Sequence, residues 1–189
     1  MNVAIIPARG GSTRIPRKNV RPFHGKPIIQ YSIECAKKSR LFDAIYVSTD
    51  DPMIGIIAHH AGATPVLRPA HLARDEVGTQ EVTRSVLQPL TWARYACCIY
   101  ATAPLMRVED LAAAFQIMTS QRHDFVYSVG PDDVDAGQFY WGSRAAFMNR
   151  LELTGPASLR MKIPAEHVCD INTEEDWQQA LEMYLKLLR

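Results

Sequence analysis

At 189 residues the chain suits one domain, and 47% apolar side chains allow a sizeable core, which excludes disorder. With 21 Lys and Arg against 20 Asp and Glu the net charge is +1, so nothing in the overall charge calls for nucleic acid or an anionic membrane as partner. No run reaches the roughly 18 apolar residues of a membrane span, and Arg9 comes too early for a secretory leader.

In chain order, "VAIIP" reads as a buried strand, short, β-branched and followed by glycines. "GKPIIQYSIECAKKS" reads as a helix with Pro27 in its first turn. "AIYVSTDD" is a second strand ending in two acids, and "PMIGIIAHHAG" a helix with Gly62 as C-cap. "TPVLR" is a short strand, and "TQEVTRSVLQPLTWA" a helix bent or ended near Pro89. "YACCIYA" is a strand, "RVEDLAAAFQIMTS" a helix and "DFVYSV" a strand. Beyond residue 130 "GPDDVDAG" is turn-like, "QFYWG" a strand and "EHVCDI" the last strand. "TEEDWQQALEMYLKLL" closes the chain as a helix, with Thr173 as N-cap and Asp176 in a capping-box position.

The alternation argues for an α/β fold with a mostly parallel sheet and helices on both faces. Most strands are unbroken apolar runs, as strands covered on both faces should be. Cys35, Cys97, Cys98 and Cys169 lack metal-ligand spacing and read as reduced thiols in or near the core of a cytoplasmic protein. Cys97 and Cys98 should point to opposite faces of their strand. Trp92, Trp141 and Trp177 read as packing anchors, and His59 and His60 as surface or cap residues at a helix end. A Ser-His-Asp hydrolase reading lacks its GxSxG elbow.

Ligands of open α/β sheets bind beyond the carboxyl ends of the strands. That rule selects residues 8–19, Ser48 to Asp51, Ala101 to Leu105 and Asp170 to Thr173. The first of these, in "PARGGSTRIPRKN", gathers Arg9, Arg14, Arg17 and Lys18 around a Gly-Gly-Ser turn. Exposed backbone N–H groups and cations together make a phosphate cradle. The alternative is a solvated basic loop, but the place at a strand's carboxyl end favours phosphate. Neither GxxxxGK[ST] nor GxGxxG is present, which excludes the common P-loop and dinucleotide sites.

"IIPARGGSTRIPRKN" followed by "GKPII" resembles the N-terminal motif of the acylneuraminate cytidylyltransferases, which make CMP-activated nonulosonic acids. "YVSTDD", "LRPAHLA", "GTQEV", "ATAPL" and "CDINTEEDW" extend the resemblance nearly end to end. "ACCIYATAP" and "DAGQFYWG" are most similar to the pseudaminic acid cytidylyltransferase branch. The resemblance implies a Rossmann-like three-layer sandwich of the nucleotide-diphospho-sugar transferase type, spanning residues 1–189 as one domain. It also implies that CTP and a nonulosonic acid give a CMP-sugar and pyrophosphate, with Mg²⁺ (or Mn²⁺) as cofactor.

By the same resemblance Arg9, Lys18 and Asp170 carry the chemistry. Ala8, Gly10, Gly11, Ser12, Asn19, Arg68 and Thr102 join Arg9 and Lys18 around the nucleotide. Ala101, Gln138 and Tyr140 face the sugar, with Asp135 beside them. The metal falls to Asp170 and Asn172, a spacing that in a strand puts both side chains on one face. Oxygen ligands plus substrate phosphates are the usual setting for Mg²⁺.

Three features depart from the family pattern. Asn172 stands where an aspartate is usual, so the site has one negative charge fewer, which Asp50 or Asp51 would have to replace. Thr13 stands where lysine is common, with Arg14 next to it. Between "FVYSV" and "DAGQFYWG" the family carries a long dimerisation arm, whereas "GPDDV" is all that separates them here. A homodimer is the assembly implied, and the arm is missing or shortened near 130–135. Two alternatives to the synthetase stay open: a nucleotide-binding homologue with impaired turnover, and a nucleotidyltransferase for another sugar acid.

Overall fold

The computed structural model describes residues 1–121 and 123–188. Among the described residues nine strands and six α-helices follow one another. They are β1 (Asn2–Pro7), β2 (Pro22–Phe23), β3 (Lys26–Pro27), α1 (Ile28–Ser39), β4 (Ala44–Thr49), α2 (Pro52–Ala61), β5 (Thr64–Leu67) and α3 (Thr79–Leu87). After these come β6 (Tyr95–Ile99), α4 (Val108–Ser120), β7 (Phe125–Val129), β8 (Asp135–Ser143), α5 (Arg144–Met148), β9 (Ser158–Lys162) and α6 (Glu174–Leu187).

Seven strands form one sheet in the order β5-β4-β1-β6-β8-β7-β9. β8 runs antiparallel to both its neighbours, and every other pair is parallel. β1 lies in the middle, and its apolar run serves both faces. Ala4 and Ile6 pack with α1, α2 and α4 through Ile33, Ile54 and Leu111. Val3 and Ile5 meet Val86 and Leu87 of α3 and Phe147 of α5 on the other face. Cys97 and Cys98 divide between two separate clusters, as alternation requires, and burial pushes both thiols up. Among the described residues no helix is long and apolar enough to cross a membrane.

Local chemistry sets most boundaries. Asp51 caps α2 by accepting from the N–H groups of Met53 (2.7 Å) and Ile54 (3.3 Å), and Gly62 ends it in the left-handed region at φ 91°. Thr173 and Asp176 form a full capping box on α6. Pro27 is the N-cap of α1 rather than part of its first turn. α3 ends at Leu87, with Gln88 as its C-cap just before Pro89. α6 packs Trp177 and Ala180 on Ile15, Phe23, Ile28 and Tyr31, in a cluster of its own beside the basic loop and α1.

Three expectations are corrected. "EHVCDI" is not a strand: a 3₁₀ turn at Ala165–His167 follows Pro164, and residues 168–172 are irregular. The last strand is β9, "SLRMK", paired parallel to β7. Its alternation of Arg160 and Lys162 with Leu159 and Met161 is the mark of an edge strand. Trp92 is 42% exposed and anchors nothing, unlike the buried Trp141 and Trp177.

Candidate active site

A cleft of about 230 Å³ opens beyond the carboxyl ends of β1, β5 and β6. Pro7 and Arg9 enter it from the end of β1, followed by Ser12, Thr13, Arg14, Lys18 and Asn19 from the loop. Arg68 comes from the end of β5, and Arg74, Asp75 and Val77 from the segment before α3. Thr79 and Val82 of α3 and Tyr100, Ala101 and Thr102 after β6 complete the wall. Five cations thus face one acid, Asp75, among the lining residues. Such a wall is complementary to a polyphosphate.

Each main cation is placed by a different part of the fold. Asn19 Nδ2 donates to the Arg9 carbonyl at 2.8 Å, holding the loop's entry, while the Arg9 guanidinium pairs with Asp75. Lys18 donates its ammonium to the Ile171 carbonyl. Burial lowers the Lys18 pKa, against the opposing pull of Asp170. Arg68 is 6% exposed, not the surface charge that a strand end would suggest. Its Nη2 donates to the Ser48 carbonyl at 2.7 Å, and desolvation lowers its pKa against the opposing effect of Asp50.

The glycine turn works differently from a free nest of N–H groups. The Gly10 N–H donates to Asp50 Oδ1 at 2.9 Å, and the Ala8 N–H to the Ser48 carbonyl at 2.9 Å. Neither amide is therefore free for a ligand. Gly10 is needed for close approach, because a Cβ there would meet Asp51 Cβ at 2.9 Å. Ala8, Gly10 and Gly11 do not line the cleft, whereas Arg9, Ser12, Arg14 and Lys18 do. Asp50 is tied to the loop and Asp51 caps α2.

Asp170 and Asn172 meet, but not by the pleat of a strand. Irregular backbone brings Asn172 Nδ2 to 2.6 Å from Asp170 Oδ2. Asp176 Oδ2 accepts from the backbone N–H groups of Asn172 (2.8 Å) and Thr173 (2.7 Å), which hold this segment to the start of α6. Asp170 also packs against β8, where a Cβ on Gly137 would lie 3.1 Å from its carboxylate. Among the described residues no group of three or more His, Cys, Asp and Glu side chains could hold a metal.

The sugar-facing assignments divide. Ala101 and Thr102 line the cleft, whereas Gln138 and Tyr140 do not. Tyr140 is 3% exposed, and its hydroxyl donates to Asp135 Oδ2 at 2.5 Å. Burial raises its pKa, as does the neighbouring Tyr100. Gln138 is buried and donates its amide to the His167 carbonyl. Tyr100, which sequence reasoning missed, takes the wall position: its ring packs 5.5 Å from that of Tyr140 and lines the cleft. Its place at the carboxyl end of β6 was the available signal.

A cation-lined cleft at the carboxyl ends of a mostly parallel sheet marks an α/β protein built to bind a polyphosphate. The cytidylyltransferase family model matches residues 3–149. The pseudaminic acid cytidylyltransferase of Campylobacter jejuni subsp. jejuni serotype O:2 is 32% identical, over 97% of this chain and 96% of that protein. The structure of CMP:2-keto-3-deoxy-manno-octonic acid synthetase complexed with CTP superposes with a TM-score of 0.79 at 16% identity, covering 98% and 99% of the two chains. The manganese complex of Rv0371c from Mycobacterium tuberculosis H37Rv superposes with a TM-score of 0.72 at 14% identity, covering 96% and 98%. The chain belongs to the cytidylyltransferase family.

The alignment with the Campylobacter protein runs over 222 positions, and 97% of 189 residues is about 183, so about 39 positions there have no counterpart here. In this chain β7 passes to β8 through a short turn, Gly130 N–H donating to the Val134 carbonyl at 2.8 Å.

Proposed function

We propose that the protein joins CTP to a nonulosonic acid, pseudaminic acid in particular, releasing pyrophosphate. One observation carries this reading: Arg9, Arg14, Lys18 and Arg68 converge on one cleft at the strand ends, in a chain of this family. In the reaction the anomeric hydroxyl oxygen of the sugar acid attacks the α-phosphorus. The new P–O bond forms as the bond to the β-phosphate breaks. Pyrophosphate takes the electron pair, and the hydroxyl proton passes to solvent.

The chain's part is positioning and charge neutralisation. Arg9 and Lys18 hold the triphosphate from either side of the loop, with Arg14 supplying the charge that Thr13 does not. Ser12 adds a hydroxyl donor, and Asn19 fixes the Arg9 backbone. Arg68 meets the nucleotide from the end of β5. Ala101 and Thr102 line the place where ribose and sugar acid meet. Asp170 and Asn172 fit Mg²⁺ or Mn²⁺ as two converging side chains with hard oxygen donors, once the Asn172 amide turns its oxygen inward. When bound, the ion would neutralise charge developing on the phosphates. The close turn at residues 130–134 supports a chain that lacks the dimerisation arm.

The test is pyrophosphate release with CTP and Mg²⁺, offering pseudaminic, legionaminic and N-acetylneuraminic acids in parallel. Release with pseudaminic acid is expected. CTP binding without release from any of the three would instead favour an impaired homologue. In a folded Arg9→Ala variant, unchanged CTP affinity would refute the role given to Arg9.

A further inference from the structure

We propose that Asp75 is an internal competitor of the triphosphate, occupying Arg9 until phosphate displaces it. The proposal rests on the nucleotide reading of the cleft and adds a residue that reading does not use.

Lys18 and Arg68 bond to backbone carbonyls, of Ile171 and Ser48, in the body of the fold. Arg9 differs: its guanidinium pairs with a carboxylate that itself lines the cleft. Its backbone is already anchored by Asn19, so the loop does not need Asp75 to hold its shape. The Asp75 side chain is 60% exposed and that of Arg9 27%. An ion pair so open to water is weak and readily exchanged. A carboxylate and a phosphate oxygen both suit the planar fork of arginine, so the two anions compete for one donor set.

Little holds the segment that carries Asp75. Between the 3₁₀ turn at Ala70–Leu72 and Gly78, the N-cap of α3, its internal backbone bonds are Ala73 N–H to Ala70 (3.1 Å) and Val77 N–H to Arg74 (3.3 Å). The side chains of Arg74, Asp75 and Glu76 are exposed. Displacing Asp75 therefore breaks no packing. In the empty cleft the pair spares Arg9 from carrying an unpaired charge beside Arg68, and after the reaction the same carboxylate is placed to take Arg9 back as pyrophosphate leaves.

Calorimetric titration of inorganic tripolyphosphate and of CTP, both without metal, tests this on the full chain. Asp75→Asn should bind tripolyphosphate about two- to fivefold more tightly than wild type, the span of an exposed ion pair. Glu76→Gln makes the same change in net charge one position away, at a carboxylate that stands only loosely, at 4.0 Å, from its own cleft cation Arg74, and should shift affinity by less than half as much. In an Arg9→Ala background the Asp75→Asn gain should vanish. Weaker binding by Asp75→Asn would show that Asp75 orients Arg9 instead, and equal gains from both substitutions would reduce the effect to bulk charge. Either result overturns the proposal, as does unchanged affinity or a wild type that does not bind tripolyphosphate. If wild type binds tripolyphosphate but not CTP, the nucleotide reading fails while the Asp75 comparison still stands or falls on the inorganic probe.

Discussion

The Lys18 ammonium donates to the backbone carbonyl of Ile171, 153 positions further along the chain. This bond joins the basic loop after β1 to the segment carrying Asp170 and Asn172. Lys18→Met keeps the stem and removes the donor. It should cost about 1.5–3 kcal/mol of folding stability, the range for a charged hydrogen bond, and weaken CTP binding at least tenfold. Urea denaturation with calorimetry separates the two effects. Because burial lowers the Lys18 pKa, CTP affinity should fall as pH rises through a value below the usual 10.5. Full affinity up to pH 10.5 would contradict the assignment.

Tyr140 is a core residue in this fold, bonded to Asp135 and stacked 5.9 Å from the Tyr127 ring. Tyr140→Phe should lose about 1 kcal/mol of stability while leaving KM for the sugar acid within about twofold. A tenfold rise in KM with stability intact would return Tyr140 to the sugar site.

Replacing Asn172 by aspartate would set two carboxylates at the spacing now bridged by a 2.6 Å hydrogen bond. Like charges so close destabilise the metal-free protein, by about 1 kcal/mol, and strengthen its hold on a dication. Asn172→Asp should therefore melt lower in chelator than wild type and gain more in Tm when Mg²⁺ or Mn²⁺ is added. Parallel Tm shifts in the two proteins would place the metal elsewhere.

Asp176 has a lowered pKa, first because the Asn172 N–H bonds its carboxylate; burial opposes this, and the bonds from Thr173 and the charge of Lys18 add to the lowering. A carboxylate whose folded pKa lies below its unfolded value stabilises the fold above the unfolded value, near 3.8, and loses that contribution as pH falls through the folded value. Asp176→Ala should thus cost about 0.5–1 kcal/mol at pH 7, and the gap to wild type should narrow below pH 3.8. Denaturation curves at pH 7 and pH 3 measure it, and a gap that widens on acidification would remove Asp176 from the capping box.

How much of this could be read from residues in order depends on how local each feature is. The apolar runs of β1, β6 and β7, the Gly62 cap and the Thr173–Asp176 box rest on neighbours within a few positions, and all stand where the sequence puts them. β9 was missed because an edge strand carries Arg160 and Lys162 and lacks the apolar run. "EHVCDI" misled because Val168 and Ile171 are apolar in a segment whose path is set by Pro164 and by bonds to α6.

By itself the sequence determined the α/β class, the basic loop at the end of the first strand and the membership of a nucleotide-transferring family, since short-range pattern and a specific motif carry these. The tertiary structure alone decided which groups are free to act. Asp50 takes the Gly10 amide from 40 positions away, Tyr100 rather than Tyr140 reaches the cleft, and Asp75 sits on Arg9 from 66 positions away. The physical reason is that a buried polar group or a charge must find its partner wherever the fold brings one near, and that distance along the chain says nothing about which partner it will be.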